Sequence, residues 1–268
     1  AYPSFKKELN EESVPLYLTF GCVPAPHTLF RGVKKLPAAH TLTLDAYGIL
    51  KIAEFWSPLG ESVKCQVSNV KCTEEFFVSE TKRILEDSIR IQMVSDVPFG
   101  CFLSGGIDSS TNAALMSRAL GAPVETFSIG AKDFGAKYNE FEYSRRTAKL
   151  LGARRHEVLV GREDLLAFLP EFAEHADDPQ ADAVSFLVYY LSKLTHNSGV
   201  IVAQVGEGAD ELFAGYPQYP AFLSSYRFYR RFFPLSRLAA PFFSSNPYVK
   251  RLLAGQEPYW GLAVAFAG

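Results

Sequence analysis

Several features are scarce in this 268-residue sequence, and each scarcity removes a class of protein. The four cysteines stand at positions 22, 65, 72 and 101. None form a C-x-x-C pair and none have a histidine at zinc-ligand spacing, so neither a disulfide framework nor a structural zinc is encoded. No apolar run approaches the roughly 20 residues of a bilayer-spanning helix, and no secretory signal pattern is present. The expectation is a reducing, cytoplasmic setting with no membrane partner. An excess of either charge is missing as well: 27 Lys and Arg stand against 29 Asp and Glu, for a formal net charge of -2. Such a chain has no global attraction for nucleic acid, and any anion it binds needs a local site. What remains is ordinary globular composition, 48% hydrophobic and 21% charged, long enough for one large domain or two small ones. The sequence starts at Ala1 and stops at Gly268 without an evident helix end, and is read as a piece of a longer protein.

Residues 1–72 read as an irregular, β-rich lead-in. Leu16 to Phe20 is apolar enough for a short strand or helix, and Pro24, Pro26 and Pro37 punctuate a loop-rich stretch after it. His40 to Asp45 alternates as a strand, Tyr47-Gly48 supplies a turn, and Leu50 to Ile52 returns, which predicts a hairpin. From residue 73 the pattern changes. Thr73 caps a helix with an acidic first turn. Apolar strands at 97–103, 124–129, 156–160 and 200–205 then alternate with helices at 109–120, 139–151, 163–175 and 184–196. That alternation predicts an α/β domain over 73–268, with a parallel sheet and helices on both faces. Ligands of such sheets bind beyond the carboxyl ends of the strands.

Two loops lie at those ends. The first, Ser104-Gly105-Gly106-Ile107-Asp108-Ser109-Ser110, comes after a strand and opens a helix. The glycines allow a tight turn and close approach of a ligand to the backbone. The free N–H groups of the helix start favour an anion, and Ser104, Ser109 and Ser110 add hydroxyl donors. Asp108 is a poor neighbour for bare phosphate and a good one where Mg²⁺ bridges the two. The lysine of a Walker A loop and the spacing of a dinucleotide G-x-G-x-x-G are both absent. The second loop, Gly206-Glu207-Gly208-Ala209-Asp210-Glu211-Leu212-Phe213-Ala214-Gly215-Tyr216, crowds Glu207, Asp210 and Glu211 together. Such crowding is repulsive unless a cation or an amine is present.

The first loop resembles the phosphate loop of the N-type ATP pyrophosphatases, the PP-loop enzymes. The second is similar to the asparagine synthetase branch of that family. So are Leu18 to Pro26 with Lys35-Leu36-Pro37, Ser95 to Gly100, Thr126 to Gly130 and the Asp178-Pro179 region. The resemblance covers nearly the whole chain. It implies an adenine nucleotide alpha hydrolase-like fold over 73–268, truncated at its C-terminal end. It also implies that 1–72 is a linker and hairpin from a glutaminase domain that is not in this chain, and a possible homodimer. The implied activity is ATP-dependent amide ligation. ATP adenylates a carboxylate, here the β-carboxylate of aspartate, ammonia displaces AMP, and pyrophosphate leaves. The same chemistry on another carboxylate, as in β-lactam synthetases, lasso-peptide cyclases or glycan-modifying relatives, is the alternative, with a non-catalytic nucleotide-binding fragment behind it.

The resemblance also implies roles residue by residue. Ser104, Gly105, Gly106, Asp108, Ser109 and Ser110 would hold the phosphates of ATP. Leu103, Ile129, Val205 and Gly206 would line the adenosine. Asp108 and Asp210 would carry Mg²⁺, and Glu207 would act in catalysis by taking a proton from the attacking ammonia. Asp177 to Asp182 lies where relatives select substrate, and Asp182-Ala183-Val184-Ser185 departs from their Asp-Pro-Ser pattern. Val205 stands where relatives carry Ser or Thr. The Tyr226 to Phe233 stretch reads as an amphipathic helix with snorkelling arginines rather than a nucleic-acid surface.

Overall fold

The computed structural model describes residues 5–57, 73–133, 139, 141–176, 178–182 and 184–217, together with Tyr219, Pro220, Leu223, Ser224 and Arg227. Cys65, Cys72 and the Tyr226–Phe233 stretch apart from Arg227 lie outside the described residues. The chain divides into two units, Ala1–Val205 and Gly206–Gly268.

In the first unit, four strands make one parallel sheet: β3 (Phe99–Phe102), β4 (Glu125–Ala131), β5 (Arg154–Val160) and β6 (Val202–Gln204). Their order is β5-β4-β3-β6. The chain therefore moves from β3 outward to β4 and β5, then returns to the other side of β3. That reversal makes a switch point between β3 and β6, where the carboxyl ends of a parallel sheet open a crevice.

The two faces of the sheet are filled from alternate positions, as the period-2 pleat dictates. Cys101 and Leu103 face one way, into a core with Ala113 and Met116 of α3 (Ile107–Leu120) and Ala148 of α4 (Phe141–Leu151). Ile89 and Met93, from α2 (Glu74–Gln92) and its C-cap, close that side. Phe102 faces the other way, with Phe127, Ile129 and Val200, against Leu191 and Leu194 of α6 (Val184–Asn197). Phe168 of α5 (Arg162–His175) is buried against the Phe186 and Tyr189 rings of α6. Helices thus cover both faces. Burial leaves Cys101 with its thiol pKa pushed up to about 12, so it is a packing residue and not a nucleophile.

Local signals set most element ends. The Thr73 hydroxyl accepts from the Phe76 N–H at 3.3 Å and starts α2. Gly121 ends α3 in the left-handed conformation, at φ 61°. In the lead-in, Leu16 to Phe20 is helical within α1 (Val14–Phe20), because Pro15 suits the first turn and Gly21, at φ 70°, terminates it. The hairpin pairs β1 (His40–Leu44) with β2 (Leu50–Glu54), and Asp45 closes its turn by accepting from Tyr47 N at 2.9 Å and Ile49 N at 2.8 Å. β6 is shorter at both ends than its apolar run. Val200 N instead donates to Thr195 O, and Ile201 N to Pro98 O. Among the described residues no helix is long and apolar enough to cross a membrane.

Between β5 and α4, Glu157 receives a fork from Arg145, Nε to Oε1 at 3.0 Å and Nη2 to Oε2 at 2.7 Å, and a contact from Arg155 at 2.9 Å. The Arg145 hydrogen bonds hold its carboxyl below the usual glutamate range, against the opposing effect of burial. A depressed pKa contributes stability above the unfolded-state value, about 4.3, and that contribution vanishes as pH falls through the folded value. Glu157→Gln is therefore expected to cost about 1 kcal/mol at pH 7, kept modest by screening at the half-exposed Arg145. The cost should shrink toward zero below about pH 4, as read by urea melts across that range.

Candidate active site

Leu103 leaves β3 with both backbone groups engaged: its N–H donates to Phe127 O at 2.8 Å and its carbonyl accepts from the buried Ser128 hydroxyl at 2.6 Å. Its side chain is 1% exposed. The structure thus places Leu103 in the core, as the anchor from which the next seven residues depart. The chain then turns at Gly105, whose φ is 90°. A Cβ there would lie 2.5 Å from Ser144 N and 2.5 Å from the Tyr143 carbonyl carbon. The first turn of α4 is therefore the floor of the loop, and only glycine fits against it.

Gly106 caps α3 without a side-chain acceptor, and its own N–H is taken by the Ser104 hydroxyl at 3.3 Å. The N–H groups of Ile107, Asp108 and Ser109 come next in the first turn, where no preceding carbonyl can reach them. Ser104 and Ser109 share a hydroxyl–hydroxyl contact of 2.9 Å, and Ser110 shares one of 3.2 Å with Thr147 of α4. Ile107 is 85% exposed, and Asp108 is exposed beside it. The result is a rigid ring of donors with a carboxylate at its rim. Two more donors on elements flanking the switch point, Asn112 Nδ2 of α3 and Gln204 Nε2 of β6, are buried without a protein partner among the described residues. Unsatisfied donors and helix-start amides suit a ligand rich in acceptors.

The motif reading missed the residues that hold this loop from behind. Ser128, Tyr143, Ser144 and Thr147 come from β4 and α4, and only the Thr126–Gly130 run carried any signal for one of them. Ile129 packs at the carboxyl half of β4, and Val205 emerges half-exposed where β6 ends.

The second unit opens with the acidic loop. Gly208, at φ 89°, caps α7 (Ala209–Phe213), and Ala214, at φ 55°, ends it. Glu207 is exposed and Asp210 is half-buried. Gly215 donates its N–H to Asp210 O at 2.9 Å, and a Cβ at position 215 would fall 1.9 Å from Asp210 Oδ1. The Asp210 carboxylate thus rests against bare backbone. Tyr216 donates its hydroxyl to Glu211 at 2.9 Å. That hydrogen bond pushes the phenol pKa up to about 12. Among the described residues no three carboxylates, histidines or cysteines gather closely enough to make a metal cluster by themselves.

The asparagine synthase family model matches residues 80–265, a span that takes in both loops. The chain belongs to the asparagine synthase family. One relative, asparagine synthetase [glutamine-hydrolyzing] 1 of Bacillus subtilis (strain 168), is 34% identical over 212 residues, covering 79% of this chain and 32% of its own length. Asparagine synthetase [glutamine-hydrolyzing] 3 of the same organism is 29% identical over 234 residues, covering 81% of this chain and 36% of its own length. The chain thus spans about a third of these curated relatives. The NH3-dependent NAD synthetase from Campylobacter jejuni aligns with 52% of this chain, and with 60% of its own, at a TM-score of 0.35 and 20% identity. The α/β assignment of this asparagine synthase family member stands on its own strand order and on the two cores.

Proposed function

We propose that this chain is the ATP-pyrophosphatase part of an amide ligase that adenylates a carboxylate, the β-carboxylate of aspartate, and passes ammonia to it. The observation that supports the reading most is the loop at the switch point. It pairs a glycine turn, wedged on α4, with free amides at the start of α3. The fit to a triphosphate is chemical: the loop offers backbone N–H and hydroxyl donors, and its single carboxylate, Asp108, sits at the exposed rim, where a bridging cation would offset its charge. Ser104, Gly105, Gly106, Ser109 and Ser110 would hold the phosphates, while Ile129, Val205 and Gly206 would border the nucleoside. Asp108 and, by the resemblance of its own loop, Asp210 are each proposed as a Mg²⁺ ligand, an ion whose charge would offset that of the departing pyrophosphate.

Two displacements make up the reaction. The substrate carboxylate attacks the α-phosphorus of ATP, the bond to the β-phosphate oxygen breaks, and pyrophosphate leaves. Ammonia then attacks the acyl carbon, AMP departs with the electron pair, and a proton from the amine passes to Glu207. Glu207 is exposed at the mouth of its loop, as a group meeting a diffusing or delivered amine must be. Most of the rate comes from alignment and from fixed charge. Ammonia would come from solution or from a glutaminase domain of the whole protein. The expected result is pyrophosphate release from ATP that requires both aspartate and ammonia, measured by a coupled pyrophosphate assay. Release of ADP and phosphate instead would overturn the reading.

A further inference from the structure

The lead-in is not a slack tether. Val23 is 1% exposed, and the Thr28 hydroxyl, itself nearly buried, bonds Phe30 O at 3.0 Å and Val33 O at 2.8 Å. Lys35 N donates to Pro26 O at 2.9 Å and closes the turn. This folded strap touches one distant loop, residues 178–182, by two routes. Ala181 N donates to Gly21 O at 2.8 Å. Lys35 Nζ donates to Val23 O at 2.6 Å and also to Asp178 Oδ2. Both partners of the ion pair are mostly shielded, with 35% of the Lys35 side chain and 22% of the Asp178 side chain exposed.

The position of that loop is dictated by α6. Ser198, just past the helix, lies 3.4 Å from His156 Nδ1 near the start of β5, and Ile201 N reaches Pro98 O ahead of β3. The last turn of α6 therefore sits at the amino edge of the sheet. α6 packs along β4 and β5, and its 14 residues span about 21 Å, roughly the length of β5. Its first turn, and the 178–182 loop before it, must then lie at the carboxyl edge, the edge from which the phosphate loop leaves β3. The loop stands on the β4–β5 side of that edge, away from the β3–β6 switch point.

We propose that Lys35 is a positioning residue: it fixes the Asp178 carboxylate, and so the 178–182 loop, against the lead-in on the flank of the carboxyl edge left open to an acceptor carboxylate substrate once the phosphates occupy the loop between β3 and α3. The proposal rests on the adenylation reading for the identity of that substrate. A half-buried Asp178 without its cation would pull water in or swing out, and the loop would go with it. The phosphate end of the nucleotide, at β3 and α3, should be indifferent to the change, because no bond of the tie reaches those elements.

Two measurements on the full-length protein test this. In Lys35→Met, hydrogen exchange at the Ala181 amide should speed by about tenfold or more, and Lys35→Arg should restore it to within about twofold of the parent. In steady state, Lys35→Met should raise KM for the carboxylate about tenfold and leave KM for ATP within about twofold. Asp178→Asn should reproduce both effects, and the double variant should be no worse than either single one. Unchanged exchange at Ala181, an unchanged carboxylate KM, or equal rises in both KM values each overturn the proposal. If Lys35→Met does not fold, Asp178→Asn severs the same tie from the other end and is judged by the same criteria. A parent protein that shows no carboxylate-dependent pyrophosphate release sinks the adenylation reading. The exchange result still decides whether Lys35 holds the loop.

Discussion

Gly105→Ala is expected to destabilise the protein by about 3 kcal/mol and to weaken ATP binding by about a hundredfold. Two costs add. An alanine at a φ of 90° is strained whatever the space around it, by about 1–2 kcal/mol. The new methyl would also sit 2.5 Å from backbone atoms of Tyr143 and Ser144, and backbone in the first turn of a helix cannot swing aside as a side-chain tip can. Overpacking of that kind costs about 1–3 kcal/mol. Relief comes only by lifting the loop off α4, which misaligns the amides of Ile107, Asp108 and Ser109. Gly106→Ala is the control. Its φ is -66°, and its Cβ would meet only the Ser104 hydroxyl at 3.4 Å, so it should cost less than about 1 kcal/mol. Thermal melts should show Gly105→Ala lower by about 6–12 °C and Gly106→Ala nearly unchanged, with calorimetric titration of ATP reading the affinity. Equal behaviour of the two variants would mean that the floor under Gly105 is not what shapes the loop.

Much of this was legible because it is local. A Gly-Gly pair after an apolar strand and before Asp-Ser-Ser forces a turn into a helix start, and the structure has that turn. The Thr73 cap, the Asp45 turn and the glycine stops at 121 and 21 are likewise written within a few residues of where they act. The alternation of apolar runs and helices gave the parallel sheet with helices on both faces. Strand ends were less legible, since Val200 and Ile201 are as apolar as Val202 and are taken out of β6 only by bonds to Thr195 and Pro98. Least visible were the contacts that join remote segments: Ser128 on the Leu103 carbonyl, Tyr143 and Ser144 beneath Gly105, and Lys35 on Asp178, 143 positions away. No periodicity encodes such pairs. Leu103 makes the same point from the other side. Its place at the head of the glycine loop is a matter of sequence, but the direction of its side chain is set by Ala113, Met116 and Ala148 packing behind it.

Gly215→Ala is expected to leave the fold standing and to remove most of the magnesium-dependent turnover. The methyl would overlap Asp210 Oδ1 at 1.9 Å, while the nearest backbone atom, Asp210 Cα, is 3.3 Å away. The carboxylate is the movable party, so it rotates away, at a stability cost of about 1 kcal/mol. Asp210→Asn is the complementary change, because it keeps the side chain in place and removes its charge. Loss of one fixed electrostatic contact to a developing charge costs about a hundred- to a thousandfold in rate. Asp210→Asn should fall in that range at any magnesium concentration. Gly215→Ala, which retains the charge in the wrong place, should fall by about tenfold or more and recover part of its rate as Mg²⁺ is raised, because a misplaced ligand weakens metal affinity before it abolishes it. Pyrophosphate release measured against Mg²⁺ concentration separates the two, with melting curves confirming that both variants are folded. If both variants stay within about threefold of the parent across the titration, Asp210 holds no metal, and the metal role proposed for the second loop fails.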